Sequence, residues 1–305
     1  KKTPFKPYLD KASLYIMLLW QKNSVHVIFL VEKIGYGVIG CGGAGTGHAR
    51  RAAKIANVRL VAVCDTSEEK AKKVKEETGA ERYYLDYVEL LKDKAIDAVA
   101  IALPHSLLAG TSLAAIKTGK HVLVEKPMAF NYKEAKEVVT AARRTGVKLM
   151  VSYSWRYDSG WNFMKELLKK NAVGKVELVR ASWIHPVYGG GPERRPWLWN
   201  PKHNRGMLHY LGSHLIDLVL WFVDSDALSV NGHVVMDPRY STSSREAYTI
   251  RFKNDALASI LTAEGVTGTS ALYFAGHNAF DVQATGAFGS VECHYQSQPT
   301  YRYIV

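Results

Sequence analysis

Residues 35–65 read GYGVIGCGGAGTGHARRAAKIANVRLVAVCD, and their order decides the fold. The apolar pair Val38-Ile39 runs into Gly40-Cys41-Gly42-Gly43-Ala44-Gly45, an Ala/Arg/Lys segment follows, and a second apolar run ends on Asp65. That is strand, glycine turn, helix, strand. A G-x-G-x-x-G spacing alone is a weak signal, because glycines cluster in many turns. Here it opens a helix and an acid stands 20 residues past Gly45, which is the context a dinucleotide-binding turn requires. Gly40 permits the tight turn, Gly42 lets the backbone approach a pyrophosphate, and Gly45 lets helix pack close on strand. With Gly43 and Ala44 they form a cradle whose N–H groups, at a helix N-terminus, receive the phosphates. Asp65, at the end of the second strand, would accept hydrogen bonds from the adenosine ribose, and its charge would repel a 2′-phosphate. NAD is therefore expected rather than NADP. The competing reading is a glycine-rich loop beside a solvated aspartate.

Outward from this stretch, the sequence keeps the same rhythm. Ser67 to Thr78 reads as a helix capped by Ser67 and closed by Gly79. Short strands follow at Glu81 to Leu85, Asp97 to Leu103, His121 to Val124 and Val147 to Tyr153, with helices at Tyr87 to Lys92, Leu107 to Thr118 and Tyr132 to Thr145. Strands alternating with helices imply right-handed β-α-β units and a doubly wound parallel sheet. From about Ser154 the pattern changes. After a helix from Trp161 to Lys170, alternating segments dominate, among them Val176 to Trp183 and the pair Glu246 to Lys253 and Ala256 to Ala263 around an Asx-type turn at Asn254-Asp255. The expected organisation is an extension over 1–33, a Rossmann domain over 34–153, and an α+β domain with a large, mainly antiparallel sheet over 154–305.

At 305 residues, with 47% hydrophobic and 22% charged residues, the chain has the composition of a folded two-domain protein. Its formal charge of +12 is spread along helical segments with acids between, as in Glu68-Glu69-Lys70-Ala71-Lys72-Lys73. That describes solvated faces and a field that attracts an anionic dinucleotide, not a nucleic-acid site. The three cysteines, Cys41, Cys64 and Cys293, lack C-x-x-C spacing and suggest a reducing, cytoplasmic compartment and no metal site. Cys41 reads as a small filler of the turn, with a reactive thiol as the alternative. The apolar runs Ser13 to Trp20 and Val25 to Val31 are too short to span a membrane. They read as an extra packed arm at a subunit contact.

These landmarks, GVIGCGGAG at Gly37 to Gly45, AVCD ending at Asp65, HVLVEKPMA at His121 to Ala129, SYSWRY around Arg156 and GSHLIDLVLW at Gly212 to Trp221, resemble the glucose–fructose oxidoreductase/inositol dehydrogenase/MocA family from about Lys33 onward. The resemblance implies hydride transfer between a nicotinamide and a secondary alcohol or carbonyl of a sugar-like or cyclitol substrate. It extends the cofactor set to Leu103, Pro104, His105, Glu125 and Lys126. Lys126, past the end of a central strand, is expected to stabilise charge on the reacting oxygen; the alternative is a surface lysine. Pro127 fixes the backbone there, a cis bond being one way. His214 is the expected general base, against a buried structural histidine, with Asp217 on the same helical face to orient it.

The chain departs from the family at Tyr210, which stands where many members carry an aspartate four residues before the histidine. Tyr210 is expected to replace it as proton donor or substrate partner. Arg205, where a glycine is common, adds positive charge and suggests an acidic polyol unless it points to solvent. Trp197, Arg156, Arg205 and His209 are the expected substrate contacts, with the Gly/Pro-rich stretch from His185 to Asn200 as a loop over the polyol. The alternatives are a non-catalytic NAD-binding sensor and an NAD-assisted glycosidase on the same fold. Partners are expected to be the small-molecule substrate and, through the open face of the second sheet, further copies in a homodimer or homotetramer, with no nucleic acid and no membrane.

Overall fold

The computed structural model describes residues 14–21, 24–31, 33–185, 196–237, 242–264, 279–295 and 299–304. The amino-terminal part forms an antiparallel pair, β1 (Leu14–Gln21) and β2 (Ser24–Val31). The quoted stretch then folds as read: β3 (Ile34–Ile39), α1 (Gly43–Ala52) and β4 (Val58–Cys64), with β3 and β4 parallel. α2 (Glu68–Thr78) is capped by Ser67, whose Oγ accepts from the Lys70 N–H at 3.4 Å, and it ends on Gly79 at φ 70°. β5 (Arg82–Tyr84), α3 (Tyr87–Lys92), β6 (Ala98–Ile101), α4 (His105–Lys117), β7 (His121–Val124), α5 (Tyr132–Thr145) and β8 (Leu149–Val151) follow.

The resulting six-stranded sheet has the order β5-β4-β3-β6-β7-β8. Strand order reverses at β3, the feature that opens a crevice at the carboxyl ends of a doubly wound sheet. Val38, Val61, Val63, Val99 and Ile101 are fully buried, as the run of apolar residues in a strand covered on both faces requires. Each such side chain contributes roughly 1.5–3 kcal/mol by leaving water. β5 and β8 are shorter than the sequence suggests, and α4 begins at His105 rather than Leu107. His105 is thus the first residue of a helix and only 3% exposed.

A 3₁₀ turn (Ser154–Tyr157) leads into α6 (Ser159–Lys169), capped by Asp158, whose Oδ1 accepts from the Gly160 N–H at 2.9 Å. β9 (Val176–His185), a second 3₁₀ turn (Pro196–Trp199), a π-turn (Leu208–Gly212) and α7 (Ser213–Val223) precede β10 (Ala227–Asp237), β11 (Thr242–Phe252), β12 (Leu257–Glu264), β13 (Ala279–Gly286), β14 (Gly289–Tyr295) and β15 (Pro299–Ile304). They build a seven-stranded sheet, β10-β11-β12-β9-β13-β14-β15, in which only the β12–β9 pairing is parallel. The turn between β11 and β12 is Asx-type, with Asn254 Oδ1 accepting from the Ala256 N–H at 3.2 Å and Asp255 left-handed at φ 67°.

One face of this sheet buries Val179, Ala181, Trp183, Ile250 and Phe252 with Trp161, Met164, Leu215, Leu218 and Phe222 of α6 and α7. The opposite parity leaves Leu178, Leu257 and Leu261 exposed. Trp155 joins this core, whereas Tyr157, two residues on, is 71% exposed. The chain divides into two compact units, one of 1–103, 111–123 and 140–149, the other of 104–110, 124–139 and 150–305. Lys126 and His105 thus group with the second unit.

Candidate active site

In the glycine turn, the backbone leaves no room for a side chain at two points and opens at two others. Gly40 has φ 98°, and a Cβ there would meet the Ala102 carbonyl oxygen at 2.2 Å and Leu103 Cδ2 at 3.2 Å. A Cβ on Gly45 would lie 1.7 Å from the Gly40 carbonyl oxygen, which is the close helix–strand approach inferred from the motif. Around Gly42 and Gly43 nothing approaches within 4 Å of that position. α1 starts at Gly43 with no capping side chain and no acid in its first turn, so the end of the helix dipole is unopposed. This cradle fits a pyrophosphate. Asp65 also ties the turn together: Oδ2 accepts from the Cys41 N–H at 2.8 Å and Oδ1 from the Ser67 N–H at 2.9 Å. A carboxylate has about four acceptor positions, so ribose hydroxyls still fit there. Cys41 is buried, donates to the Cys64 carbonyl at 3.6 Å, and has its thiol pushed up to about 12 by burial and then by Asp65. It fills the turn as an un-ionised thiol.

A second cluster forms where β7 ends. The Lys126–Pro127 bond is cis. Lys126 Nζ donates to the Tyr210 carbonyl at 2.7 Å and stands 4.7 Å from the centre of the Tyr210 ring. That carbonyl belongs to the π-turn, whose wide i→i+5 pattern re-aims backbone groups, and Ser213 Oγ also donates to it at 3.4 Å. His214 opens α7 one residue further on and is buried. Trp155 stacks on it at 4.5 Å and 15°, and Tyr153 meets it edge-on at 6.0 Å. His105 lies 5.0 Å from both Trp197 and His209, ring centre to ring centre, and 5.8 Å from Tyr210.

Burial decides the charge of this cluster. It pushes His214 down to about 2, with the Lys126 charge acting the same way, and His105 to about 2, helped by His209 and Lys126. It lowers His209 to about 4, against the Ala129 carbonyl 3.4 Å from its Nε2. The Nδ1 atoms of all three imidazoles are buried with no hydrogen-bond partner. At neutral pH the three rings are neutral, and Lys126 acts as a cation on all three, joined at His209 by Arg205.

The remaining expected residues divide. His209 and Trp197 enter the cluster. Arg205 is exposed, but its guanidinium covers Phe130 at 4.4 Å, and Phe130 meets His209 at 5.5 Å. Leu103, Pro104 and Glu125 are half-buried, and Glu125 Oε2 accepts from the Lys126 N–H at 3.3 Å. Arg156 is turned elsewhere: its Nε and Nη2 grip the two oxygens of Asp217 at 2.7 and 2.8 Å. Asp217 therefore does not orient His214; the stacked Trp155 does. Residues 186–195 of the expected covering loop lie outside the described residues. A cavity of about 610 Å³, lined by Phe130, Arg205, Leu208, His209, Ile216 and Glu246 among others, adjoins the π-turn. Glu246 is a contributor that the sequence reading did not single out, and Trp155 enters as the ring stacked on His214.

Comparison with known proteins agrees over both parts of the chain. Residues 34–153 match the model of an oxidoreductase family with an NAD-binding Rossmann fold, GFO/IDH/MocA, and residues 161–292 match the GFO/IDH/MocA C-terminal domain. The glucose-6-phosphate 3-dehydrogenase of Bacillus subtilis is 28% identical over 77% of this chain and 68% of its own. The myo-inositol 2-dehydrogenase of Thermotoga maritima is 26% identical over 73% of this chain and 66% of its own, so the chain spans about two thirds of the length of these relatives. The crystal structure of myo-inositol 2-dehydrogenase from Lactobacillus plantarum superposes with a TM-score of 0.76 at 22% identity, covering 86% of this chain and 76% of that one, a likeness of fold.

Proposed function

Since this chain belongs to the GFO/IDH/MocA family of NAD-binding oxidoreductases, we propose that it is an NAD-dependent dehydrogenase of a sugar-like or cyclitol polyol, with Lys126, His214 and Tyr210 at the reacting carbon. The observation that carries this reading is the convergence of Lys126 with the turn bearing Tyr210, which leads directly into the helix bearing His214, fixed by the 2.7 Å bond from Nζ to the Tyr210 carbonyl. The Gly40–Gly45 cradle and Asp65 would hold NAD, which would supply the hydride acceptor. Lys126 stabilises the alcohol oxygen as it becomes anionic, in a setting where water is largely replaced by Trp197, Tyr210 and neutral imidazoles. His214, neutral and stacked on Trp155, is the acceptor for the hydroxyl proton. An imidazole held so far below its ordinary pKa takes that proton only as the oxygen passes its charge on, which couples proton and hydride departure. Tyr210 contributes its carbonyl and its ring face, both of which favour the ammonium.

Incubating the protein with NAD and a panel of neutral and acidic polyols tests this reading. Stoichiometric NADH is the expected result. Tight NAD binding without NADH would point to a sensor, and aglycone release without net NADH to an NAD-assisted glycosidase. Faster turnover of carboxylated or phosphorylated members of the panel would bring Arg205 into the substrate site. Oligomerisation through the open face of the second sheet, where Leu178, Leu257 and Leu261 are exposed, completes the proposal; a dimer or tetramer by light scattering is expected, and a monomer overturns it. The cytoplasm suits three buried free thiols, and no helix among the described residues is long and apolar enough to cross a membrane.

A further inference from the structure

The π-turn that carries Tyr210 has no capping side chain of its own. Its leading N–H groups are instead satisfied from β11. Glu246 Oε2 accepts from the Leu208 N–H at 2.7 Å and from Thr262 Oγ1 at 3.4 Å. Ser243 Oγ accepts from the Met207 N–H at 3.2 Å and donates to Glu246. The fit is tight enough to dictate the residue opposite. Gly206, at φ 104°, would place a Cβ 1.7 Å from Ser243 Oγ and 3.0 Å from Glu246 Oε1. Glu246 is 3% exposed, and a buried carboxylate is retained at a cost unless hydrogen bonds compensate its lost hydration. Its donors, the Leu208 N–H and the hydroxyls of Ser243 and Thr262, come from the start of the turn or from side chains that brace it.

We infer that Glu246 is a positioning residue for the reaction: from β11 it fixes the start of the π-turn, and through that turn the place of the Tyr210 carbonyl against Lys126. The inference rests on the dehydrogenase reading. Its path is short and continuous: Glu246 to the Leu208 N–H, two residues along the turn to the Tyr210 carbonyl, and 2.7 Å to Lys126 Nζ. Without the carboxylate, the Leu208 N–H loses its acceptor and the turn relaxes toward ordinary helical spacing, which takes the carbonyl off the ammonium. A misplacement of about 1 Å at a reacting group is worth roughly 10²-fold in rate.

The test compares Glu246→Ala and Glu246→Gln with Glu292→Ala, a buried glutamate of β14 on the same sheet whose neighbours are Gln283 and His294. Glu246→Ala is expected to lower kcat by roughly 10- to 100-fold while the dissociation constant for NAD stays within about twofold; Glu246→Gln, which keeps an acceptor for Leu208, should recover most of the rate. The crystal structure of Glu246→Ala should show Lys126 Nζ no longer bonded to the Tyr210 carbonyl. Where that variant does not fold, Ser243→Ala removes the intervening hydroxyl alone, and a smaller loss of the same kind is expected. An unchanged lysine–carbonyl bond in the variant crystal, or a kcat loss no greater than that of Glu292→Ala, overturns the inference. The crystallographic comparison needs no turnover. Failure of the wild-type protein to oxidise any polyol would therefore count against the dehydrogenase reading and not against the role of Glu246.

Discussion

The glycine turn and the Lys126 cluster solve opposite problems. In the turn, polarity is local and satisfied: Asp65 accepts from N–H groups of Cys41 and Ser67, and Gly40 accommodates its left-handed backbone. In the cluster, residues from positions 105, 126, 155, 197, 209, 210 and 214 are drawn together, and three buried Nδ1 atoms go without partners. The first region is stabilised by what it already holds. The second tolerates a deficit of hydrogen bonds, which is where a protein meets a polar molecule arriving from outside. The contrast turns on charge state, and acidification exposes it.

The largest expected effect is on stability below neutral pH. In the folded chain His105 and His214 titrate near 2 and His209 near 4, against 6.5 for an ordinary imidazole. Below pH 6.5 the unfolded chain binds more protons than the folded one. The stabilisation is therefore complete above pH 6.5 and is lost as the pH falls, toward 4 for His209 and toward 2 for His105 and His214, by about 1.4 kcal/mol per unit for each ring. At pH 5 that amounts to about 2 kcal/mol per imidazole. Thermal unfolding followed from pH 7.5 to 5 should show a steep fall in Tm, and His105→Gln should flatten it. Amide exchange in the same window should open α7 before the α1 turn; equal rates in both would erase the distinction between the regions.

Next comes chemistry. Lys126→Met keeps an unbranched side chain one atom shorter and removes its charge, so a loss of roughly 10²–10³-fold in kcat is expected. NAD affinity, set by the Gly40–Asp65 region, should be nearly unchanged. A variant that turns over normally would remove the lysine from the reaction; one that loses NAD binding equally would show the two regions to be one.

Asp65→Ala reverses that test. Here the expected change is in cofactor choice, a gain of about tenfold in the ratio of NADP to NAD affinity as the repelling charge goes. Part of the effect will be structural, because the Cys41 and Ser67 N–H groups lose their acceptor. Asp65→Asn removes the charge but keeps one of the two acceptor oxygens, so it costs one brace where Asp65→Ala costs both, and comparing the two variants separates the contributions.

The same contrast explains what could be read from the chain alone. Gly40, Gly42, Gly45 and Asp65 do their work through neighbours in sequence, so spacing reveals them. So do Ser67, Gly79 and Asn254, each a cap or turn residue acting within a few positions. Lys126 and His214 were legible through the family resemblance, not through their surroundings. What orients His214 was misread, because Asp217 is one helical turn away in sequence yet spends its charge on Arg156, while Trp155 comes from a distant turn. Glu246 left a signal that was overlooked: with Ile250 and Phe252 it shares the inward parity of β11, and a charged residue on a buried face asks for a partner. Which partner it finds depends on packing between elements nearly forty residues apart, and no local pattern carries that information.

The smallest effect is the most discriminating for the cluster. Tyr210 occupies the position where a carboxylate is usual in the family, and its hydroxyl is the obvious substitute for that acid. The geometry gives the lysine two other parts of the residue, the backbone carbonyl at 2.7 Å and the ring face at 4.7 Å. Tyr210→Phe keeps both. If those are what matter, kcat should change by less than about threefold, whereas Tyr210→Ala, which removes a cation–π contact of about 0.5–2 kcal/mol, should cost more. A loss of roughly hundredfold in Tyr210→Phe would instead assign the proton or the substrate to the hydroxyl. The cluster would then resemble the glycine turn after all, with its decisive group carried by a side chain that the sequence displays openly.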